Sequence, residues 1–177
     1  MKEELFSLKT MLSSLYKVNS TKVKKRLLFD QAPIGGIGRV WVMLFFVSLP
    51  VILFLGIFNP TVFAMLGIAQ AIIFYIIFLS MLMIMIIALT FINNNKVIRQ
   101  ITPSWQALFP TVNIRQVLSS GTTAYTGFSD FYSELSSLDL DEASLVEKFK
   151  EKFTQMQTEN KELFEAMNRD LVHKQEI

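Results

Sequence analysis

Cysteine is absent from this chain and histidine occurs once, at His173. Without a thiol there is no disulfide, no thiolate metal ligand, no iron–sulfur cluster and no cysteine nucleophile. A single histidine rules out multi-histidine metal ligation and leaves Ser-His-Asp catalysis without a well-placed base. Charge is also scarce. Charged residues are 18% of the 177, against the roughly 25% usual for soluble domains. The net charge is +2, which gives no case for nucleic acid as a partner. Nothing in the composition calls for a cofactor.

The missing charge is concentrated in one place. Between Arg39 and Lys96 there is no Asp, Glu, Lys, Arg or His, and the interval is dense in Ile, Leu, Phe, Met and Val. Such a block predicts an integral membrane protein. It is too long for one crossing of about 20 residues and long enough for two. Asn59-Pro60-Thr61 is the natural break, because Asn-Pro favours a turn and the residue before proline is biased away from helix. The expected spans are about 37–58 and 61–92, within a hairpin of 37–95. Pro50 should kink or break the first. Basic residues flank both ends (Lys22, Lys24, Lys25, Arg26 and Arg39 before, Lys96 and Arg99 after), and the connecting turn has none. The positive-inside rule then places both termini in the cytoplasm of a cytoplasmic (inner) membrane.

The interior of the block, between Arg39 and Lys96, contains no ionisable acid, base or imidazole, which argues against a pump or a charged selectivity ring. The main polar residues away from the turn are Ser48, Gln70, Ser80 and Thr90. Gln70 either hydrogen-bonds between helices or meets water and headgroups at the interface. Gly67 and Ala71 form a small-xxx-small step that permits close helix packing, within the hairpin or between copies.

Residues 1–36 read as a cytoplasmic arm. They resemble neither a secretory signal nor a mitochondrial presequence, and Lys2 stands where myristoylation needs glycine. Leu5, Leu8, Met11, Leu12, Leu15 and Tyr16 recur at helical steps. This amphipathic helix either lies in the membrane interface or packs on the chain's own C-terminal helices. Asn19-Ser20-Thr21 reads as a linker. Lys22, Lys24, Lys25 and Arg26 form a basic cluster that either binds anionic lipid headgroups or only sets topology. Gly35-Gly36-Ile37-Gly38 lacks the spacing of a dinucleotide loop and suits a flexible joint.

Residues 96–177 read as a cytoplasmic helical region. A helix start is expected at Thr102-Pro103-Ser104-Trp105 and a break at Pro110. Tyr125, Phe128, Phe131, Tyr132 and Leu135 form a helical aromatic stripe. The last helix is expected over about 142–171, with Asp141 or Ser144 as its cap. Along it, Val146, Phe149, Phe153, Met156, Asn160, Leu163 and Met167 fall on a heptad-like register, a possible coiled coil. This face oligomerises, docks on a partner or folds back on the Tyr125–Leu135 stripe. The carboxylates Asp130, Glu134, Asp139, Asp141 and Glu142 lie on polar faces or in a turn, without the unequal environments that an acid–base pair needs, so no enzyme is expected.

The fold expectation is therefore an all-α membrane protein: a two-span helical hairpin with an N-terminal amphipathic helix and C-terminal cytoplasmic helices. The expected partners are membrane lipids together with another membrane or cytoplasmic protein, or a second copy. The leading functional expectation is a non-catalytic interaction protein, a subunit or accessory or exclusion factor of a larger membrane assembly. The alternative is a self-associating effector or simple channel that permeabilises the bilayer, whose layout is similar to that of bacterial two-span defence effectors in arrangement only. Membrane shaping by a wedge-like hairpin is the third.

Overall fold

The computed structural model describes residues 5–19, 22–29, 34, 39–138 and 140–173, with the side chains of residues 39 and 170–173 left out. The elements in order are α1 (Leu8–Leu15), β1 (Tyr16–Asn19), β2 (Lys22–Lys25), α2 (Arg39–Ile57), α3 (Pro60–Leu66), α4 (Ile68–Leu108), α5 (Ile114–Val117), α6 (Phe128–Ser136), α7 (Glu142–Glu159) and α8 (Lys161–His173). The fold is mostly helical. Two of its helices, α2 and α4, are long and apolar enough to cross a membrane. The expected joint at residues 35–38 and the carboxylate Asp139 lie outside the described residues.

The apolar block folds as a hairpin with one more element than expected. Asn59 accepts from the Thr61 amide and Pro60 occupies the first turn, so a short helix, α3, starts at once. It stops at Gly67, whose φ of 77° excludes most side chains; a Cβ there would meet the Gln70 Oε1 at 3.1 Å. The expected second span is thus divided. Residues 60–66 form α3, and the long helix starts at Ile68.

That long helix does not end with the apolar block. α4 runs 41 residues, about 60 Å at 1.5 Å per residue. Its apolar part, 68–92, accounts for about 37 Å, and 93–108 projects about 24 Å further. The helix start expected at Thr102-Pro103 is therefore corrected: Pro103 sits inside α4. Proline removes one backbone hydrogen bond. Val97, Ile101, Ser104 and Trp105 are buried on both sides of it, so tertiary packing outweighs the local penalty. The helix ends at Leu108, just before Pro110, as the sequence suggests.

A helical unit is built around this projecting half. α1 lays Leu8, Met11, Leu12 and Leu15 into the core, each at most 1% exposed. Of its two expected placements, the chain adopts the packed one. Arg26 donates its amide to the Leu15 carbonyl, and β1 and β2 pair antiparallel with Tyr16 opposite Lys25 and Val18 opposite Val23. Of the expected linker at residues 19–21, Asn19 ends β1, and Ser20 and Thr21 lie outside the described residues. The only period-2 signal of the strand pair is Tyr16, Val18 and Val23, too short to outweigh the helical stripe before it.

The centre of the unit is aromatic. Phe153 lies 5.2 Å from Phe109, 5.4 Å from Phe128 in a stacked pair, 5.6 Å from Tyr125 and 5.9 Å from Trp105, ring centre to ring centre. The Trp105 indole donates to the Val112 carbonyl at 2.8 Å, which fixes the reversal after α4. The last helix folds back on this cluster, and it is not continuous over 142–171. Asn160 donates its side-chain amide to the Met156 and Ala124 carbonyls, which closes α7 and starts α8 at Lys161.

Candidate membrane and partner interfaces

The apolar hairpin is the first surface. Side chains of α2 and of the apolar part of α4 are mostly exposed and almost none is buried; Trp41, Phe45, Phe54, Ile76, Met83 and Ile87 are among the exposed ones. The exception is at the closed end. There Ala71 is completely buried and Ile57 nearly so, while Phe58 touches the rings of Phe54, Phe63 and Tyr75 at 5.2–5.9 Å. Ala71 of the Gly67–Ala71 step is thus covered within the chain, while Gly67 is half-buried. Gln70 is exposed beside it. The hydroxyls of Ser48 and Ser80 return to their own helices, donating to Phe45 and Ile76 carbonyls at 2.8 and 2.9 Å.

The second surface is the junction where the apolar part of α4 meets the helical unit. Three consecutive asparagines occupy it, and each has long-range partners. Asn94 accepts from the Phe29 amide at 2.9 Å and donates to the Leu27 carbonyl at 2.8 Å. Asn93 donates to the Phe29 carbonyl at 3.3 Å. Asn95 accepts from the Arg115 guanidinium at 3.3 Å. The segment before α2 and the helix α5 are thereby pinned at the end of the apolar run. Leu27 is left 89% exposed at this level. Sequence reasoning missed the role of Asn93, Asn94, Asn95 and Arg115. The available signal was three poor helix formers in a row inside a helix, which need outside partners to be worth their place.

The expected basic cluster divides. Lys22 and Lys24 lie on one face of the β-hairpin with Lys17, which stands directly opposite Lys24. Like charges in that arrangement repel. Lys25 points the other way and donates its ammonium to the Leu118 carbonyl; burial lowers its pKa. Arg26 donates Nε to the Tyr16 carbonyl at 3.1 Å. Neither of these two heads is directed outward with the other lysines.

The expected partner face on the last helices also divides. Phe149, Phe153 and Met156 are at most 4% exposed within the chain's own core, and Val146 packs partly against it. Of the three expected fates of this face, fold-back on the Tyr125–Leu135 stripe is the one these residues adopt within the chain, with Phe149 and Phe153 against Phe128. Asn160 closes α7, and the Met167 sulfur accepts from the Ala124 amide at 3.4 Å. Leu163 remains exposed, and Phe164 beside it is half-buried. What is left as an outward apolar face is on α8.

The tyrosines of the unit are held neutral. Burial, with Tyr132 close by, raises the Tyr16 pKa to about 12; burial also raises those of Tyr125 and Tyr132. Asp141 is held below its ordinary value by hydrogen bonds from Ser144, whose amide it receives as the cap of α7. Of the other carboxylates considered, Glu142 accepts from the Leu8 amide at 2.7 Å, a structural bond. No group of three or more His, Asp or Glu that could hold a metal occurs among the described residues.

Comparison with protein-family models, with curated proteins and with solved structures gives no significant match.

Proposed function

We propose that the chain is a non-catalytic interaction protein anchored in a cytoplasmic (inner) membrane. The hairpin crosses the bilayer twice, and the helical unit sits on the cytoplasmic side with both termini. It acts as a subunit or as an accessory or exclusion factor of a larger membrane assembly. The observation that carries this reading is α4: one helix leaves the apolar hairpin and becomes the spine of a folded unit whose aromatic groups are satisfied internally. Such a unit is prefolded before any partner arrives. A partner then meets a small remaining face, α8 with Leu163. The length of α2, 19 residues or about 28 Å, matches a hydrocarbon core of about 30 Å. The charge asymmetry between the uncharged Asn59–Thr61 turn and the basic opposite end supports the orientation.

The self-associating channel rests on the layout alone. Ser48 and Ser80, turned back onto their own helices, offer no polar stripe for a pore. Native mass spectrometry of the full chain, extracted with its surrounding lipid from its host, tests the choice. One copy bound to a different protein, lost in Leu163→Glu, is expected. A ring of identical chains overturns the reading in favour of the channel.

A further inference from the structure

We propose that Arg115, Arg99 and Lys96 form a binding site for the phosphate of an anionic phospholipid at the cytoplasmic boundary, organised by Asn95. The proposal rests on the membrane reading given above and is independent of the α8 partner face.

The positions follow from helix geometry. Asn95, Lys96 and Arg99 stand about 4.5, 6 and 10.5 Å beyond Ile92 along α4. The headgroup layer is about 5–8 Å deep on each side of the hydrocarbon. Asn95 and Arg99 are one turn apart on the same face, and Lys96 flanks them. Side chains on a helix lean toward its N-terminus, which for α4 means back toward the apolar part. Lys96 and Arg99 are exposed and lean that way, with their heads free to reach the headgroups.

Arg115 makes this more than a pair of flanking charges. Residues that only set topology need to be near the span in sequence. Arg115 is 20 residues from Asn95 and reaches it by folding. The Asn113 side chain accepts from the Arg115 amide at 2.9 Å and starts α5 there. Asn95 then receives one nitrogen of the guanidinium, leaving its other donors to a ligand. Arg115 is exposed, and among the described residues none of the three cations is paired with a carboxylate. Guanidinium groups bind phosphate with two parallel hydrogen bonds, so two arginines and a lysine grouped about Asn95 fit a phosphate rather than a carboxylate-bearing peptide. The site's depth selects a lipid as its source.

The test uses the full chain in nanodiscs of equal parts phosphatidylcholine and phosphatidylglycerol. Native mass spectrometry counts the lipids that stay bound. An excess of phosphatidylglycerol is expected, reduced about fivefold in Arg115→Gln and further in the Arg99→Gln/Arg115→Gln double variant. Lys150→Gln, an exposed lysine on α7, should leave it unchanged. Equal retention of the two lipids by the unaltered chain overturns the proposal, as does an excess that survives in the double variant. Loss of the excess on adding millimolar inorganic phosphate overturns the lipid assignment in favour of the free anion. If Trp105 fluorescence shows a variant unfolded, the comparison of the two lipids on the unaltered chain decides alone. A chain that carbonate extracts from its membranes fails the membrane reading itself, a result distinct from inserted protein without lipid preference.

Discussion

The amide of Leu8 donates to the Glu142 carboxylate at 2.7 Å, joining residues 134 positions apart. The first turn of α1 and the first turn of α7 meet there, with the entire apolar hairpin lying between them in sequence. The carboxylate receives an otherwise unpartnered helix N-terminal amide, and its charge opposes the positive end of α1. Phe6 adds a second tie, its amide donating to the Ser104 hydroxyl of α4 at 3.0 Å.

Replacing Glu142 with alanine should therefore loosen α1. Glu142 is exposed, so the expected cost is about 1 kcal/mol. Glu142→Gln, which keeps the acceptor and removes the charge, should cost less. Thermal unfolding followed by Trp105 fluorescence in a Trp41→Phe background reads both. Equal stability of the alanine variant and the parent would show that this bond contributes nothing.

The two ends of the heptad-like register should behave oppositely. Phe149→Ala removes a fully buried ring and should cost about 3–5 kcal/mol, a large part of a typical domain's stability. Leu163→Ala, on the outward face, should change stability by no more than about 0.5 kcal/mol. Denaturant titration of the purified chain measures both, and similar losses would contradict the division between core and surface.

This division shows what the sequence revealed and what it did not. The apolar block, its break at Asn59-Pro60 and the stripes on α1, α6 and α7 were legible, because each depends on local periodicity or turn chemistry. Which face each stripe met was not. Phe149 and Phe153 carry the same pattern whether they pack against Phe128 of their own chain or against a partner. Pro103 misled for a related reason: its local penalty was visible, but the burial of Ile101 and Trp105 that outweighs it was not. Arg115 was invisible as a boundary residue because only folding brings it to Asn95.

Asn94 should hold the segment before α2 against α4. Asn94→Ala removes an acceptor for the Phe29 amide and a donor to the Leu27 carbonyl, with an expected cost of about 1–3 kcal/mol. Hydrogen exchange should rise locally at residues 27–29 before it rises in α1 or α7. Unchanged exchange at Phe29 would remove Asn94 from this role.

Alkaline pH should unfold the helical unit through its tyrosines. Tyr16 titrates near 10 when unfolded and about 12 when folded, so the folded state holds its proton more tightly. That contribution is fully present below pH 10 and is lost as pH rises through 12, a change of about 2–3 kcal/mol. Tyr125 and Tyr132 shift in the same direction. Lys25 runs the other way, its stabilising contribution growing as pH rises toward its unfolded value. Tyr16→Phe isolates the effect: the stability of this variant should fall less steeply between pH 10 and 12. An identical slope would show that Tyr16 is accessible to hydroxide in the folded state.

The absence of native cysteine makes the topology directly measurable. Single substitutions Asn59→Cys, Ile84→Cys and Thr158→Cys, treated with a membrane-impermeant maleimide in sealed vesicles of known orientation, test the central claim that the hairpin spans the bilayer beneath a cytoplasmic unit. The account predicts labelling of Asn59→Cys from the outer side only, of Thr158→Cys from the cytoplasmic side only, and of Ile84→Cys from neither. Labelling of Ile84→Cys in intact vesicles, or of Asn59→Cys and Thr158→Cys from the same side, would contradict it.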